Sequence, residues 1–268
     1  MKKSFRLVAL FAMLAVLLGL SGCNKLRARD QLNKGVAAYK SAKFDTAIRY
    51  FERAVELDPN LTNARLYLAV AHRSRFVPGI DAPDNNREAQ LAIDSFNDVL
   101  QRNPKDVNAL KNLASLYFDM KKFDMAKEYH RKVLAIDPND PEEHYSIGVI
   151  DWTEAYAPRM EKRAAAGLKP DEPLKDKKLC AEIRDMNQDK VEDGIEELQE
   201  ALKLRPEYDD AMAYLNLMYR ERADYECDNP EQRAADLATA DEWQQKTLAT
   251  RKAKAEKAGQ QGGIVLDQ

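Results

Sequence analysis

VNALKNLASLYFDMKKFDMAKEYHRKVLAIDPND, residues 107–140, is the stretch that decides the fold. Apolar residues recur through it at three- and four-residue intervals, the spacing of one face of an α-helix. Ala114, Tyr117, Phe123, Ala126, Val133 and Leu134 supply that inward face. Asp137-Pro138 closes it, because proline cannot continue the hydrogen-bond ladder of a helix. The stretch therefore reads as two short amphipathic helices with a tight turn between them.

The same 34-position frame fits the segments on either side. Small residues at positions 8 and 20 let two helices approach closely, and a proline at position 32 ends the second helix. Those positions hold Gly35, Ala47 and Pro59 in the first unit, and Ala69, Ala92 and Pro104 in the second. They hold Ala114, Ala126 and Pro138 in the third, and Gly148, Gly194 and Pro206 in the fourth. A fifth unit begins near Asp209, with Ala240 at position 20. This pattern resembles the tetratricopeptide repeat (TPR) over roughly Ala28 to Arg251. Tryptophan is absent from position 4, where Gln31, Arg65, Leu110 and His144 stand, so the likeness rests on the small residues and prolines. It implies an all-α fold, a right-handed superhelical solenoid of antiparallel helix pairs with about five units.

Where the frame slips, insertions are expected: near 76–86, 154–188 and 226–236, all in turns between the two helices of a unit. In the second of these, Pro158 is expected to start a helical turn through Ala166. A loop over Gly167–Pro173 and a short helix over Lys178–Met186 should follow. The repeat domain spans 28–257, and 258–268 reads as a loose tail.

The N-terminus is a targeting segment and not part of the fold. Lys2, Lys3 and Arg6 precede an apolar run from Leu7 to Leu20, too short for a spanning helix, which needs roughly 20 residues. Leu20-Ser21-Gly22-Cys23 follows, and this resembles the lipobox of bacterial lipoproteins. The resemblance implies a signal peptide over 1–22, removed on export, and a Cys23 carrying diacylglycerol and an acyl group such as palmitate. Two or more chains hold a protein stably to a bilayer, since burial contributes about 0.8 kcal/mol per methylene. Residues 23–27 would be a short linker. Asn24, and not Asp, follows the cysteine, which by resemblance to the Gram-negative sorting rule implies the outer membrane, facing the periplasm.

Loss of residues 1–22 removes three positive charges and takes the formal charge from −3 to −6. That acidity argues against nucleic acid as a partner, which would need a basic face. Two cysteines besides Cys23 remain, Cys180 and Cys227, in turns that adjacent repeats bring side by side. An oxidising compartment permits a bridge between them; two buried free thiols are the other reading.

Catalytic motifs are missing: there is no His-Glu-x-x-His, no glycine-rich phosphate loop and no serine elbow. His72, His130 and His144 lie in different units without paired spacing, so they read as structural residues and not as metal ligands. No enzyme activity, cofactor or metal is expected. By resemblance to the repeat family, positions 2, 5, 9 and 12 of each first helix line a concave groove that takes a peptide segment or helix of a protein partner. Tyr39, Arg73, Phe118, Trp152 and Arg220 stand at position 12, Lys111 and Tyr145 at position 5, and Asn63 and Asn108 at position 2. Aromatics beside arginines have the composition of binding hot spots. The competing reading is that these aromatics pack internally against the next repeat. Leu32 and Val36 replace the Lys and Asn that the family's chaperone-tail clamp requires. The expectation is a membrane-anchored interaction scaffold of the bacterial cell envelope, serving outer-membrane, secretion or pilus assembly. The alternative is an accessory subunit or ligand sensor whose insertions form a small-molecule pocket.

Overall fold

The computed structural model describes residues 23–169 and 172–261; the expected signal segment 1–22 and the tail from 262 onward lie outside the described residues. Ten α-helices and no strand occur among the described residues. They are α1 (23–40), α2 (Phe44–Leu57), α3 (Thr62–Arg73), α4 (Pro83–Arg102) and α5 (Val107–Asp119) in one compact unit ending at Lys122. A second unit beginning at Phe123 holds α6 (Phe123–Leu134), α7 (Pro141–Ala165), α8 (Lys177–Leu204), α9 (Asp209–Tyr225) and α10 (Pro230–Gln261). No described helix is long and apolar enough to cross a membrane.

In the first unit, the small residues do what their spacing predicts. A Cβ at Gly35 would lie 2.4 Å from the Phe51 ring, so α1 and α2 can meet only through a glycine at that point. Ala47, Phe51, Ala69, Ala92, Phe96 and Val99 are fully buried. The turns after α1 and α5 share a conformation: Ala42 and Lys121, both at position 15 of the frame, have φ of 55° and 57°. Beyond them, Lys43 N–H donates to the Ala38 carbonyl and Lys122 N–H to the Tyr117 carbonyl, the hydrogen bonds that close a helix on a left-handed residue. The residues before Pro59, Pro104 and Pro206 (Asp58, Asn103 and Arg205) have φ near −140° to −135°. A following proline disfavours helical backbone in the residue before it, so each helix stops there.

Three expectations about segment boundaries change. Residues 23–27, read as a short linker, are already part of α1, since Lys25–Arg29 contain neither glycine nor proline to oppose a helix. The first insertion is a loop only up to Ala82, because Pro83 is well placed at the start of a helix and opens α4. Asn85 fastens that loop, accepting from Val77 N–H at 2.7 Å and donating to the Val77 and Ile80 carbonyls. At the other end, α10 continues through Gln261, beyond the point at which the tail was expected to begin.

The largest change concerns the second insertion. It does not form separate short helices; it lengthens both members of the pair, so that α7 has 25 residues and α8 has 28. Pro158 sits inside α7 and does not start a new helix. It withholds an N–H from the Glu154 carbonyl. The neighbouring Ala155 carbonyl accepts from Asn187 Nδ2 on α8 at 2.9 Å, which ties the two helices beside the proline. Gly167, with φ of 72°, then closes α7, as Leu168 N–H reaches the Arg163 carbonyl. Close approach again depends on glycine, for a Cβ at Gly148 would meet Leu198 at 2.5 Å. Ile183, Val191, Leu198, Leu215 and Met218 complete the buried core of this unit.

Candidate protein-binding faces

Two position-12 residues of the first unit turn out to be internal braces. The Tyr39 hydroxyl hydrogen-bonds Ser74 Oγ at 2.9 Å, and its ring lies 5.4 Å from that of Phe44. Arg73 donates to Asn112 Oδ1 at 3.1 Å and to Ser115 Oγ at 2.5 Å, with Asp119 at 3.4 Å, so it ties α3 to α5. Lys111 and Phe118 are half-buried and each has an interaction within the chain. Asn63 and Asn108 are exposed near the starts of α3 and α5.

In the second unit, the predicted residues join a file of aromatics. Tyr145 and Trp152 are seven residues apart on α7, and Tyr156, four further on, shares their face. Tyr145 meets Tyr208 at 4.9 Å and Tyr214 at 5.7 Å between ring centres. Trp152 stands edge-on to Tyr214 at 5.4 Å and stacks on Tyr156 at 4.8 Å. Burial pushes the Tyr145 phenol up to about 12. Burial likewise raises the Tyr208 phenol, helped by the hydrogen bond it gives Glu142. The file is thus packed at its Tyr145 end and open at Tyr156, which is 39% exposed.

Beyond Tyr156 the α7 extension faces a cavity of about 370 Å³ between α7, α9 and α10. At its edge lies a buried ion group. Arg159 clasps Glu221 with two hydrogen bonds of 2.6 and 2.8 Å and reaches Asp224 at 2.8 Å. Arg163, fully buried, binds both oxygens of Asp224 and the carbonyls of Lys169 and Glu172, which holds the insertion loop down. Burial raises the Glu221 carboxyl above its ordinary value, opposed by Arg159. Arg220 is braced to Asn216 Oδ1 at 3.1 Å and Asp241 at 2.7 Å. Arg233, also lining the cavity, makes no side-chain hydrogen bond or ion pair among the described residues. Tyr156, Arg159 and Arg233 lie in insertions, where the repeat frame assigns no roles. The one sequence signal was Tyr156, a single helical turn beyond Trp152.

Cys180 and Cys227 are joined in a disulfide with a Cα–Cα distance of 6.2 Å. Beside it, Arg184 donates to the Tyr225 carbonyl at 2.7 Å. Cys23 is an exposed free cysteine at the start of α1. Each histidine is paired with a glutamate: His72 with Glu88 at 2.8 Å, His130 with Glu143 at 2.7 Å, and His144 with Glu197 at 2.5 Å. Among the described residues, no three His, Cys, Asp or Glu side chains cluster in a way that would hold a metal. Asp151 is also perturbed: burial pushes it up to about 7 although Lys127 Nζ, 2.8 Å away, pulls it down.

Residues 28–61 and 107–140 each match the tetratricopeptide repeat family. The chain carries TPR repeats. The helix pairs place it among TPR solenoid folds, as three solved structures show. A crystal structure of MamA protein, 14% identical, aligns over 90% of this chain and 98% of its own with a TM-score of 0.56. MamA 41-end from Desulfovibrio magneticus RS-1, 18% identical, aligns over 85% and 96% with a TM-score of 0.56. YrrB, described as a TPR protein with an unusual peptide-binding site, is 14% identical over 84% and 90%, with a TM-score of 0.50. At such identities the likeness is one of fold. A comparison with curated proteins finds no match. The TPR fold supports a protein–protein interaction scaffold.

Proposed function

We propose that this TPR chain is a membrane-tethered interaction scaffold of the bacterial cell envelope, serving an assembly or secretion machine at the outer membrane or pilus. The open end of the aromatic file at Trp152 and Tyr156 carries the binding part of this reading. Stacked rings offer large apolar area at little conformational cost, and Arg233 on the same cavity adds directed hydrogen bonds. YrrB supports it as a protein of similar fold described as having a peptide-binding site. The tether rests on the Leu20-Ser21-Gly22-Cys23 motif, and the Cys180–Cys227 disulfide supports an oxidising compartment. Outer-membrane placement rests on Asn24.

Two measurements test the two parts. A photo-crosslinking residue at position 156 in living cells should capture a defined protein, identified by mass spectrometry. Adducts formed only from the loop at Ile80, and none from 156, would sink the binding part. For the tether, metabolic labelling with palmitate should mark the chain and leave Cys23→Ser unmarked and released from the membrane fraction. An unlabelled parent chain would refute it.

A further inference from the structure

The charges around the α7–α9–α10 cavity balance with one left over. Arg159 and Arg163 are matched by Glu221 and Asp224, and Arg220 by Asp241. Arg233, in the first turn of α10, has no carboxylate partner among the described residues although it lines the same cavity. Beside it the walls are apolar: Leu217, Leu237 and the half-exposed Tyr156. The site therefore presents one unmatched guanidinium next to an apolar recess.

We propose that this cavity recognises an acidic residue set beside a bulky apolar one, on an extended segment of a partner protein. The carboxylate meets Arg233 and the apolar side chain enters the recess. The inference rests on the scaffold reading above and adds the chemistry of the segment. Its occupant is a peptide and not a free small molecule because the cavity continues into the aromatic file. From Trp152 to Tyr156, its open end, the file runs four residues of helix, about 6 Å. That stretch takes roughly two residues of extended chain beyond the one held in the recess. The guanidinium fork fits a carboxylate through two parallel hydrogen bonds, which an amide cannot reproduce.

Calorimetric titration of the full chain tests this with three probes. They are acetyl-Phe-Ser-Leu-Phe-Asp-amide, the same peptide ending in Asn, and N-acetylphenylalanine. The Asp peptide should bind roughly tenfold tighter than the Asn peptide, as expected for a charge-assisted hydrogen bond. Arg233→Gln should erase that ratio while leaving the Asn peptide's affinity unchanged; the side chain has no partner to lose, so folding is not at stake. Tyr156→Ala should weaken both peptides equally. Failure of the Asp peptide to bind, equal binding of the two peptides, or a ratio that survives Arg233→Gln overturns the proposal. Arg233-dependent binding of N-acetylphenylalanine as tight as that of the peptide overturns the protein segment in favour of a small ligand. Crosslinking from position 156 without the Asp-over-Asn ratio leaves the scaffold reading standing and removes only this one.

Discussion

Asp151 has no exposed surface, and its second oxygen, Oδ2, has no hydrogen-bond partner. Its carboxyl titrates at about 7 in the fold, against an ordinary value of 3.8. Between those two values the folded chain keeps a proton that the unfolded chain has lost. By linkage, this group's contribution to stability therefore falls as pH rises from about 4 to about 7. Asp151→Asn keeps the shape and removes the charge, and Lys127 still has Glu154 at 2.7 Å. We expect the variant to be more stable than the parent by about 1–2 kcal/mol at pH 8, an advantage that shrinks towards pH 5. Urea unfolding at both values checks it, and a difference independent of pH would contradict the account. Nothing in the sequence marks this aspartate out. Its burial follows from Gly194, whose missing side chain lets Asp151 Cβ come within 3.0 Å of where a Cβ would stand.

The helices show which parts of the structure were readable beforehand. Gly35, Gly148 and Gly194 were legible as contact points because steric exclusion acts through the repeat itself, at fixed positions. The continuous α7 was not legible. Pro158 breaks a helix by local rules, and what carries α7 past it comes from residues far away in sequence, Asn187 and Glu221 among them. The aromatic file was half legible, since Tyr145 and Trp152 hold frame positions while Tyr156 and Arg233 do not. The three glycines also rank. Alanine gains about 1 kcal/mol of helix propensity at each. At Gly35 it meets a rigid ring at 2.4 Å and at Gly148 a branched leucine at 2.5 Å; at Gly194 it meets mainly the mobile end of Met218. Overpacking costs about 1–3 kcal/mol, least where the neighbour can withdraw. Thermal melts should therefore show Gly35→Ala and Gly148→Ala losing more than Gly194→Ala. If Gly194→Ala proves the most damaging, this packing account is wrong.

Across the molecule, the second unit depends on fastenings at the end of α9. Arg163 and Arg159 hold Asp224, Arg184 holds the Tyr225 carbonyl, and Cys180 is bridged to Cys227 across 47 residues. Closing a loop of that length stabilises by about 4 kcal/mol on the chain-entropy model. Replacing both cysteines with serine should cost the unit an amount of that order. Hydrogen exchange should quicken in residues 172–184 and at the end of α9, and stay unchanged in α2–α4. Unaltered exchange in 172–184 would mean that the ionic fastenings suffice alone.

Those fastenings also bear on the order in which the emerging chain can fold. In the first unit, Tyr39 waits 35 residues for Ser74, and Arg65 waits 33 for Asp98. In the second, Arg159 waits 62 residues for Glu221 and Arg163 waits 61 for Asp224. Contacts between distant residues form late, because loop closure must precede them. As the chain emerges N-terminus first into the compartment where it folds, the far half of α7 would therefore have its arginines unmatched and its partner surface unmade. Completion of that half must wait until the chain has emerged through the end of α9.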